Sequence, residues 1–217
     1  FSPPLAYGQT SLLQSVTATG LNLSHQFQYD AGGSPELTRV TLPYGASLRW
    51  TYQSSTYTGS RTLREVSARY LSPTAGAGES AWTFYYSPAT YYTVHPWSRV
   101  ADPAGMAKRW YFIYSDPAAW KVGLESQREE RPTTTATAIR RQAFTWNQDA
   151  AGNPYLAAVT TTLDPGTAYE KQTKTEQTVD THGNVTQTKI YDYGSPVPTR
   201  TYTNTYLTGS NYTSRHI

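Results

Sequence analysis

Asp180-Thr181-His182-Gly183-Asn184 is a turn sequence flanked on each side by a polar, threonine-rich segment. Residues 171–179 precede the turn, and Val185-Thr186-Gln187-Thr188-Lys189-Ile190-Tyr191 follows it. An aspartate at the start of a tight turn accepts hydrogen bonds from the turn amides, and a glycine three residues later adopts the positive φ that closes the turn. Two β-prone segments around such a turn predict an antiparallel hairpin.

The Asp-x-x-Gly phrase recurs along the chain, and a Tyr-Asp pair accompanies two of the turns. We interpret these aspartates as turn caps, because a calcium loop needs several oxygen ligands in one short segment and the sequence contains no such loop. We therefore expect no bound metal. The predicted structural turn residues are Tyr29, Asp30, Gly33, Asp102, Gly105, Asp149, Gly152, Asp180, Gly183, Tyr191, Asp192 and Gly194.

Between the turns, large rings alternate with polar residues. Leu48, Trp50 and Tyr52 alternate with Arg49 and Thr51 after a Pro-x-Gly turn, which predicts a hairpin. Residues 106–114 carry apolar and aromatic side chains at both alternating positions, which predicts a central strand covered on both faces. The predicted fold class is all-β, with successive antiparallel β-hairpins forming an extended curved sheet or part of a β-solenoid-like shell.

The domain organisation is predicted to be simple. We expect residues 1–217 to form a single β-repeat module, with a flexible Pro- and Gly-rich loop at 72–80. Because the sequence opens at Phe1 and stops at Ile217 in a strand-like passage, we expect it to be a fragment of a longer chain. Uneven spacing of the Asp turns favours an irregular sheet over a uniform spiral.

Composition and charge argue against several classes of protein. The formal net charge is +3 without a run of one sign, so we expect no nucleic-acid partner. The sequence has no stretch of about 20 apolar residues, so we expect no membrane insertion. The chain has no cysteine, which excludes disulfides and a thiol nucleophile.

The sequence shows no catalytic motif, so we expect no enzymatic activity and no cofactor. The acidic residues Glu125, Glu129 and Glu130 are interpreted as a strand end and a solvated loop, because no partner stands at a defined spacing from them. A carboxylate-dependent glycosidase or lyase stays open as an alternative. It would need two acids held about 5–10 Å apart by distant strands.

The tryptophans offer a second alternative, a carbohydrate- or protein-binding adhesion module that uses surface aromatics. Exposed indoles stack on sugar rings or contact a surface protein, whereas buried indoles would form the core of a chain that is poor in aliphatic residues. The core interpretation is favoured. The candidate binding aromatics are Trp50, Trp82, Trp97 and Trp110.

Several of these phrases occur together in one known family. Phe27-Gln28-Tyr29-Asp30-Ala31-Gly32-Gly33 resembles the Tyr-Asp signature of YD-repeat, or RHS-repeat, proteins. The segments 179–185 and 190–194 resemble degenerate copies of it, and the segments 40–45 and 101–105 are similar to segments common in such chains.

The resemblance implies stacked β-hairpins that form an extended curved sheet or a spiralling hollow shell. Such shells occur in bacterial polymorphic toxins, in insecticidal toxin complexes and in teneurin adhesion proteins, which are typically exported or displayed on the cell surface. On this basis we expect a secreted or cell-surface, non-catalytic scaffold segment. Its partners would be adjacent repeats of its own polypeptide and an enclosed C-terminal domain.

Overall fold

The computed structural model describes residues 11–32, 35–207 and 209. Over these residues the chain forms fourteen β-strands and two single-turn 3-10 helices, Thr58–Ser60 and Ala119–Lys121. The strands are β1 (Ser15–Ala18), β2 (Leu23–Tyr29), β3 (Leu37–Thr41), β4 (Ser47–Thr56), β5 (Thr62–Ser72), β6 (Ser80–Tyr86), β7 (Trp97–Ala101), β8 (Ala107–Phe112), β9 (Glu125–Arg131), β10 (Arg140–Gln148), β11 (Pro154–Leu163), β12 (Lys171–Val179), β13 (Val185–Tyr191) and β14 (Arg200–Thr203).

The strand order in the sheet is the order in the chain, from β1 to β14. The strands are antiparallel, which is the arrangement that short turns between consecutive strands allow. The predicted all-β fold of successive antiparallel hairpins is therefore confirmed. The chain also divides into two compact units, the first formed by Phe1–Ser54 with Arg64–Thr83 and the second by Ser55–Leu63 with Phe84–Ile217.

In the first unit, the predicted hairpin around Pro43-Tyr44-Gly45 is the β3–β4 pair. Arg39 faces Arg49, Val40 faces Leu48 and Thr41 faces Ser47 across this hairpin. The turn is closed by the amide of Leu42, which donates to the carbonyl of Ala46 at 2.8 Å. Gly45 has a φ of +86°, a conformation that residues with a side chain rarely adopt.

In the second unit, β8 pairs with β7 on one side and with β9 on the other. The prediction that the aromatic segment 106–114 contains an interior strand is thus confirmed over residues 107–112. The β7–β8 turn has the geometry of the β3–β4 turn: the amide of Asp102 donates to the carbonyl of Met106 at 2.9 Å, and Gly105 has a φ of +89°.

The interpretation of the acidic segment as a strand end and solvated loop is wrong. Glu125–Arg131 is the full strand β9, paired with β8 and β10. Glu129 is only 2% exposed. The burial of this carboxylate is possible because two arginines form ion pairs with it: Arg131 of the same strand, and Arg141, which lies directly opposite on β10.

Few large apolar side chains are fully buried among the described residues. The buried hydrophobic residues are Tyr57, Ala68, Ala89, Ala101, Ala107 and Ala138, and all six tryptophans are half-buried. Small residues at strand positions and rings lying on the sheet faces therefore take the place of a thick apolar core. Sheets of this kind are stabilised by cross-strand side-chain pairs, each contributing about 0.2–1 kcal/mol.

The two matched turns predict different costs for the same substitution. Gly105→Ala places a Cβ in open space at positive φ, and we expect a loss of about 1 kcal/mol in the free energy of unfolding. Gly45→Ala adds a Cβ 2.8 Å from the Cβ of Ala75, and the overpacking adds about 1–3 kcal/mol to the loss. Urea denaturation followed by tryptophan fluorescence measures both.

Gly78→Ala serves as the control, because Gly78 lies in open space without a positive φ. We expect the free energy of unfolding to stay unchanged or to rise slightly, since alanine reduces the conformational entropy of the unfolded chain. Equal losses for the Gly45 and Gly105 variants would contradict the close approach of Ala75.

Candidate functional site

Three of the predicted turn aspartates share one geometry. The Oδ1 atom of each accepts hydrogen bonds from the backbone amides two and four residues later, at 2.8–3.0 Å. The glycine between these amides has a φ of +84° to +89°. The donors are Ala104 and Met106 for Asp102, Ala151 and Asn153 for Asp149, and His182 and Asn184 for Asp180.

An asparagine reinforces two of these caps. The side-chain amides of Asn153 and Asn184 donate to the Oδ2 atoms of Asp149 and Asp180 at 3.0 and 3.1 Å. The Asn153 side chain lowers the pKa of Asp149 below its ordinary value. Desolvation raises the pKa of Asp180, but the hydrogen bonds from Asn184 and His182 together lower it below its ordinary value. Both carboxylates are therefore held ionised as hydrogen-bond acceptors.

The two Tyr-Asp turns are built differently. Asp30 closes its loop through its backbone amide, which donates to the carbonyl of Glu36 at 2.9 Å, and Gly33 lies outside the described residues. Tyr29 donates its hydroxyl to the carbonyl of Leu13 at 3.0 Å. Asp192 accepts from the Arg200 guanidinium at 3.0 Å, and Gly194 has a φ of +77°. The hydroxyl of Tyr191 donates to Glu176 Oε2 at 2.7 Å.

The candidate binding tryptophans lie on strands of the sheet rather than in one cluster. Trp82 and Trp97 each have an arginine guanidinium over the ring at 4.4 Å, from Arg69 and Arg109 respectively. Trp50 and Trp110 are half-buried on β4 and β8. The arginine covers of Trp82 and Trp97 occupy ring faces that a stacked sugar would need.

Four charged residues form a line across neighbouring strands of the second unit. Arg99, Arg109, Glu129 and Arg141 are consecutive cross-strand partners on β7, β8, β9 and β10, and we call them the arginine row. Side chains directly opposite each other in an antiparallel sheet share a face, with Cβ atoms about 4.5–5.5 Å apart. The register thus places Arg109 and Arg141 directly opposite the buried carboxylate, with Arg99 one strand beyond Arg109.

Glu129 is the centre of this row, and both of its oxygens are occupied. Oε2 accepts from Arg131 Nη2 at 2.6 Å and from the Tyr111 hydroxyl at 3.1 Å, while Oε1 accepts from Arg141 Nε at 3.1 Å and from Gln127 Nε2 at 3.0 Å. Burial raises the pKa of this carboxyl, but the hydrogen bond and charge of Arg131, with the hydrogen bonds of Tyr111 and Arg141, together hold the pKa below its ordinary value.

The first unit has a corresponding cluster around Glu79. Its carboxylate accepts from Arg39 Nη2 at 3.1 Å and from Arg49 Nε at 3.0 Å, and it also pairs with Arg49 Nη2. The Arg49 guanidinium lies 3.7 Å from the centre of the Tyr70 ring. The hydrogen bond from Arg49 lowers the pKa of Glu79.

A repeated pattern of arginines in the sequence predicts these clusters, and the Asp-x-x-Gly turns alone do not reveal it. Residues 39–50 and 99–110 share the pattern Arg-Val-x-x-Pro-x-Gly-x-x-x-Arg-Trp at a spacing of 60 residues. Both copies form hairpins with the same register, in which the two arginines face each other. Arginine at an alternating position on both arms of a repeated hairpin predicts a cross-strand guanidinium pair.

A separate cavity of about 320 Å³ in the second unit is lined by Tyr57, Arg61, Tyr86, His95 and Phe112, among others. His95 Nδ1 lies 2.5 Å from the Ser87 carbonyl, which can only accept, so this nitrogen carries the proton. His95 Nε2 lies 2.9 Å from the oxygen of the Tyr57 hydroxyl. Both ring nitrogens are engaged, and the histidine braces the loop that precedes β7.

The chemistry that these side chains support is ion pairing. The pKa values of Glu79, Glu129 and Glu176 are all lowered, which keeps each carboxylate charged at neutral pH. A general acid needs a carboxyl with a raised pKa. Within residues 11–32, 35–207 and 209, no three His, Asp or Glu side chains are grouped so that they could hold a metal ion.

Comparisons with known proteins find a likeness in the fold. No family model matches the sequence, and no curated protein matches it. The crystal structure of TcdB2-TccC3-Cdc42 matches 87% of this chain with a TM-score of 0.55 at 9% sequence identity. The match spans 14% of that much longer chain. At this identity the likeness shows a shared β-fold.

The Glu129 cluster predicts a large effect from a small substitution. Glu129→Gln keeps the size of the side chain but leaves Arg131, which is 16% exposed, without its carboxylate. We expect a loss of about 3 kcal/mol in the free energy of unfolding at neutral pH, measured by urea denaturation. Glu130→Gln is the control: its carboxylate is 30% exposed and pairs with Lys108 and Arg140, so we expect less than about 1 kcal/mol. Equal losses would contradict the special role of Glu129.

The lowered pKa of Glu129 also predicts a pH dependence. A carboxyl whose folded pKa lies below its unfolded pKa stabilises the fold fully above the unfolded value, and the contribution is lost as the pH falls through the folded value. The stability gap between the wild type and Glu129→Gln should therefore be constant near neutral pH and shrink under acidic conditions. A gap that widens on acidification would show that the folded pKa is raised.

Proposed function

We propose that this chain is a non-catalytic structural segment of an exported or cell-surface YD/RHS-repeat protein, forming part of a β-shell or scaffold. The observation that carries the proposal is the strand order. Fourteen described strands follow one another through the sheet in chain order, each added as one more arm of a hairpin. Such a sheet is extended by adding one hairpin after another, as in repeat proteins that serve as scaffolds.

The structural comparison supports the proposal at the level of the fold. The neighbour comes from a toxin complex, and insecticidal toxin complexes are among the proteins that the Tyr-Asp phrases resemble. Two independent likenesses, one in sequence phrases and one in backbone shape, thus point towards the same group of proteins. On this proposal the parent protein is bacterial and related to toxins.

The use of charge supports a structural role. The carboxylates at the centres of both clusters are neutralised by arginines of the same unit, at 2.6–3.1 Å for Arg131, Arg141 and Arg39. The Glu129–Arg141 pair connects the neighbouring strands β9 and β10, whereas Arg131 lies on β9 beside Glu129. All three pairs keep the carboxylates ionised. Carboxylates that stay ionised and paired favour a structural role over general-acid catalysis, which needs a carboxyl able to give up a proton at neutral pH.

The proposal assigns partners to the edges of the sheet. Among the described strands, β1 pairs with β2 and β14 pairs with β13, so each has one side available for a further strand. Unpaired strand edges template the addition of another strand. We propose that adjacent repeats of the same polypeptide cover both edges and that the completed wall encloses a C-terminal domain outside the cell. The described residues contain no helix that is long and apolar enough to span a membrane.

A structure of the complete natural polypeptide that contains this sequence tests the proposal. We expect a preceding strand hydrogen-bonded to β1 and a following strand hydrogen-bonded to β14, both antiparallel. We also expect fractionation of the producing cells to find the protein outside the cytoplasm. Edges that face solvent in the complete protein, or retention in the cytoplasm, would contradict the assignment.

A further inference from the structure

The second copy of the repeated hairpin has a pair of arginines with no acid between them. Arg99 on β7 and Arg109 on β8 are direct cross-strand partners. Their guanidinium groups lie over two stacked rings, Arg99 at 5.2 Å from the Tyr85 ring and Arg109 at 4.4 Å from the Trp97 ring. Tyr85 and Trp97 stack at 5.0 Å with 21° between their planes. Like charges placed directly opposite each other destabilise a sheet unless an anion neutralises them.

The hydrogen-bonding capacity of this pair is largely unused. Among the described residues, neither Arg99 nor Arg109 makes an ion pair, and Arg109 donates one bond, from Nη1 to the Tyr111 hydroxyl at 3.2 Å. The Nε atom of Arg109 is buried without a hydrogen-bond partner. A buried donor left unsatisfied is costly, so native structures normally provide an acceptor for it.

The first copy of the hairpin shows which acceptor fits. There, the equivalent arginines Arg39 and Arg49 face each other in the same register, and the carboxylate of Glu79 binds both. The residue sixty positions after Glu79 is Ile139, so the second copy has no equivalent acid. The same two guanidinium groups are thus bridged by a carboxylate in one unit and left without one in the other.

Glu129 does not replace the missing acid. It faces Arg109 in the register, but both of its oxygens are occupied by Arg131, Arg141, Tyr111 and Gln127. Arg109 reaches this carboxylate only through the Tyr111 hydroxyl. The guanidinium of Arg99 and the Nη2 atom of Arg109 therefore stay available to a second carboxylate.

We propose that Arg99 and Arg109 form a binding site for the side-chain carboxylate of a glutamate or aspartate from an acidic polypeptide segment. A carboxylate bridging the pair reproduces the contacts of Glu79 in the first unit. The rings of Tyr85 and Trp97 hold the guanidinium planes in place, so little side-chain freedom is lost on binding. The site stands independently of the scaffold role proposed above, because it rests on one hairpin.

A binding titration with a hexaglutamate peptide tests the site, with calorimetry and the total tryptophan fluorescence as readouts. We expect saturable binding to the 217-residue chain that weakens with added salt. Arg99→Gln and Arg109→Gln should each weaken binding at least about tenfold, since each removes a charge-assisted bond. Arg99→Lys keeps the charge but loses the fork, and should also weaken binding.

Lys108→Gln is the matched control, because Lys108 lies on the same strand with its side chain at an alternating position and is 61% exposed. It removes the same charge and should leave the affinity within about twofold. Hexaglutamine should not bind, and free acetate or phosphate should compete only at much higher concentration than the peptide. Circular dichroism confirms that each variant is folded.

A gain-of-function variant tests the same idea from the other direction. Glu79→Gln removes the acid from the first copy and frees Arg39 and Arg49, so the number of hexaglutamate sites should rise from one to two. Binding that is unaffected by the arginine substitutions, or equally weakened by Lys108→Gln, would overturn the proposal. A folded Glu79→Gln variant that still has one site would also overturn it.

Discussion

The hydrogen bonds to the buried carboxylate of Glu129 hold the strands of the second unit together. Four side chains bind it, from its own strand and the strands on either side, so it connects β8, β9 and β10 through charge-assisted hydrogen bonds. Arginine is suited to this role because its planar fork reaches a carboxylate with two donors at once, as Arg131 does. The sheet holds its register where the apolar core is thin.

This use of charge explains the composition of the chain. Small residues such as Ala101 and Ala107 are buried beside the arginine row, and tyrosine and tryptophan rings support the guanidinium groups from the sides. Aromatic rings then contribute both apolar area and a favourable face for cations. The second unit therefore combines few aliphatic residues with a continuous antiparallel ladder. The first unit repeats the arrangement around Glu79, Arg49 and Tyr70.

The sequence alone predicted the hairpins well because turns are local. Pro43-Tyr44-Gly45 and the Asp102, Asp149 and Asp180 phrases carry their own hydrogen-bond acceptors and positive-φ glycines, so a short window contains the whole signal. The burial of Glu129 could not be predicted in this way. It depends on Arg141, twelve residues away in sequence and opposite it only after β9 and β10 pair. The pattern that recurs sixty residues apart, in residues 39–50 and 99–110, was the available clue to the charged clusters, since it places arginines on both arms of a hairpin.

Arginine–carboxylate pairs, more than apolar burial, stabilise the second unit. A double-mutant cycle on Glu129 and Arg131 tests this most directly, using Glu129→Gln, Arg131→Gln and the double variant in urea denaturation at neutral pH. We expect a favourable coupling energy between the two residues of about 1–3 kcal/mol, because they belong to one buried network. Additive losses, with a coupling energy near zero, would contradict it.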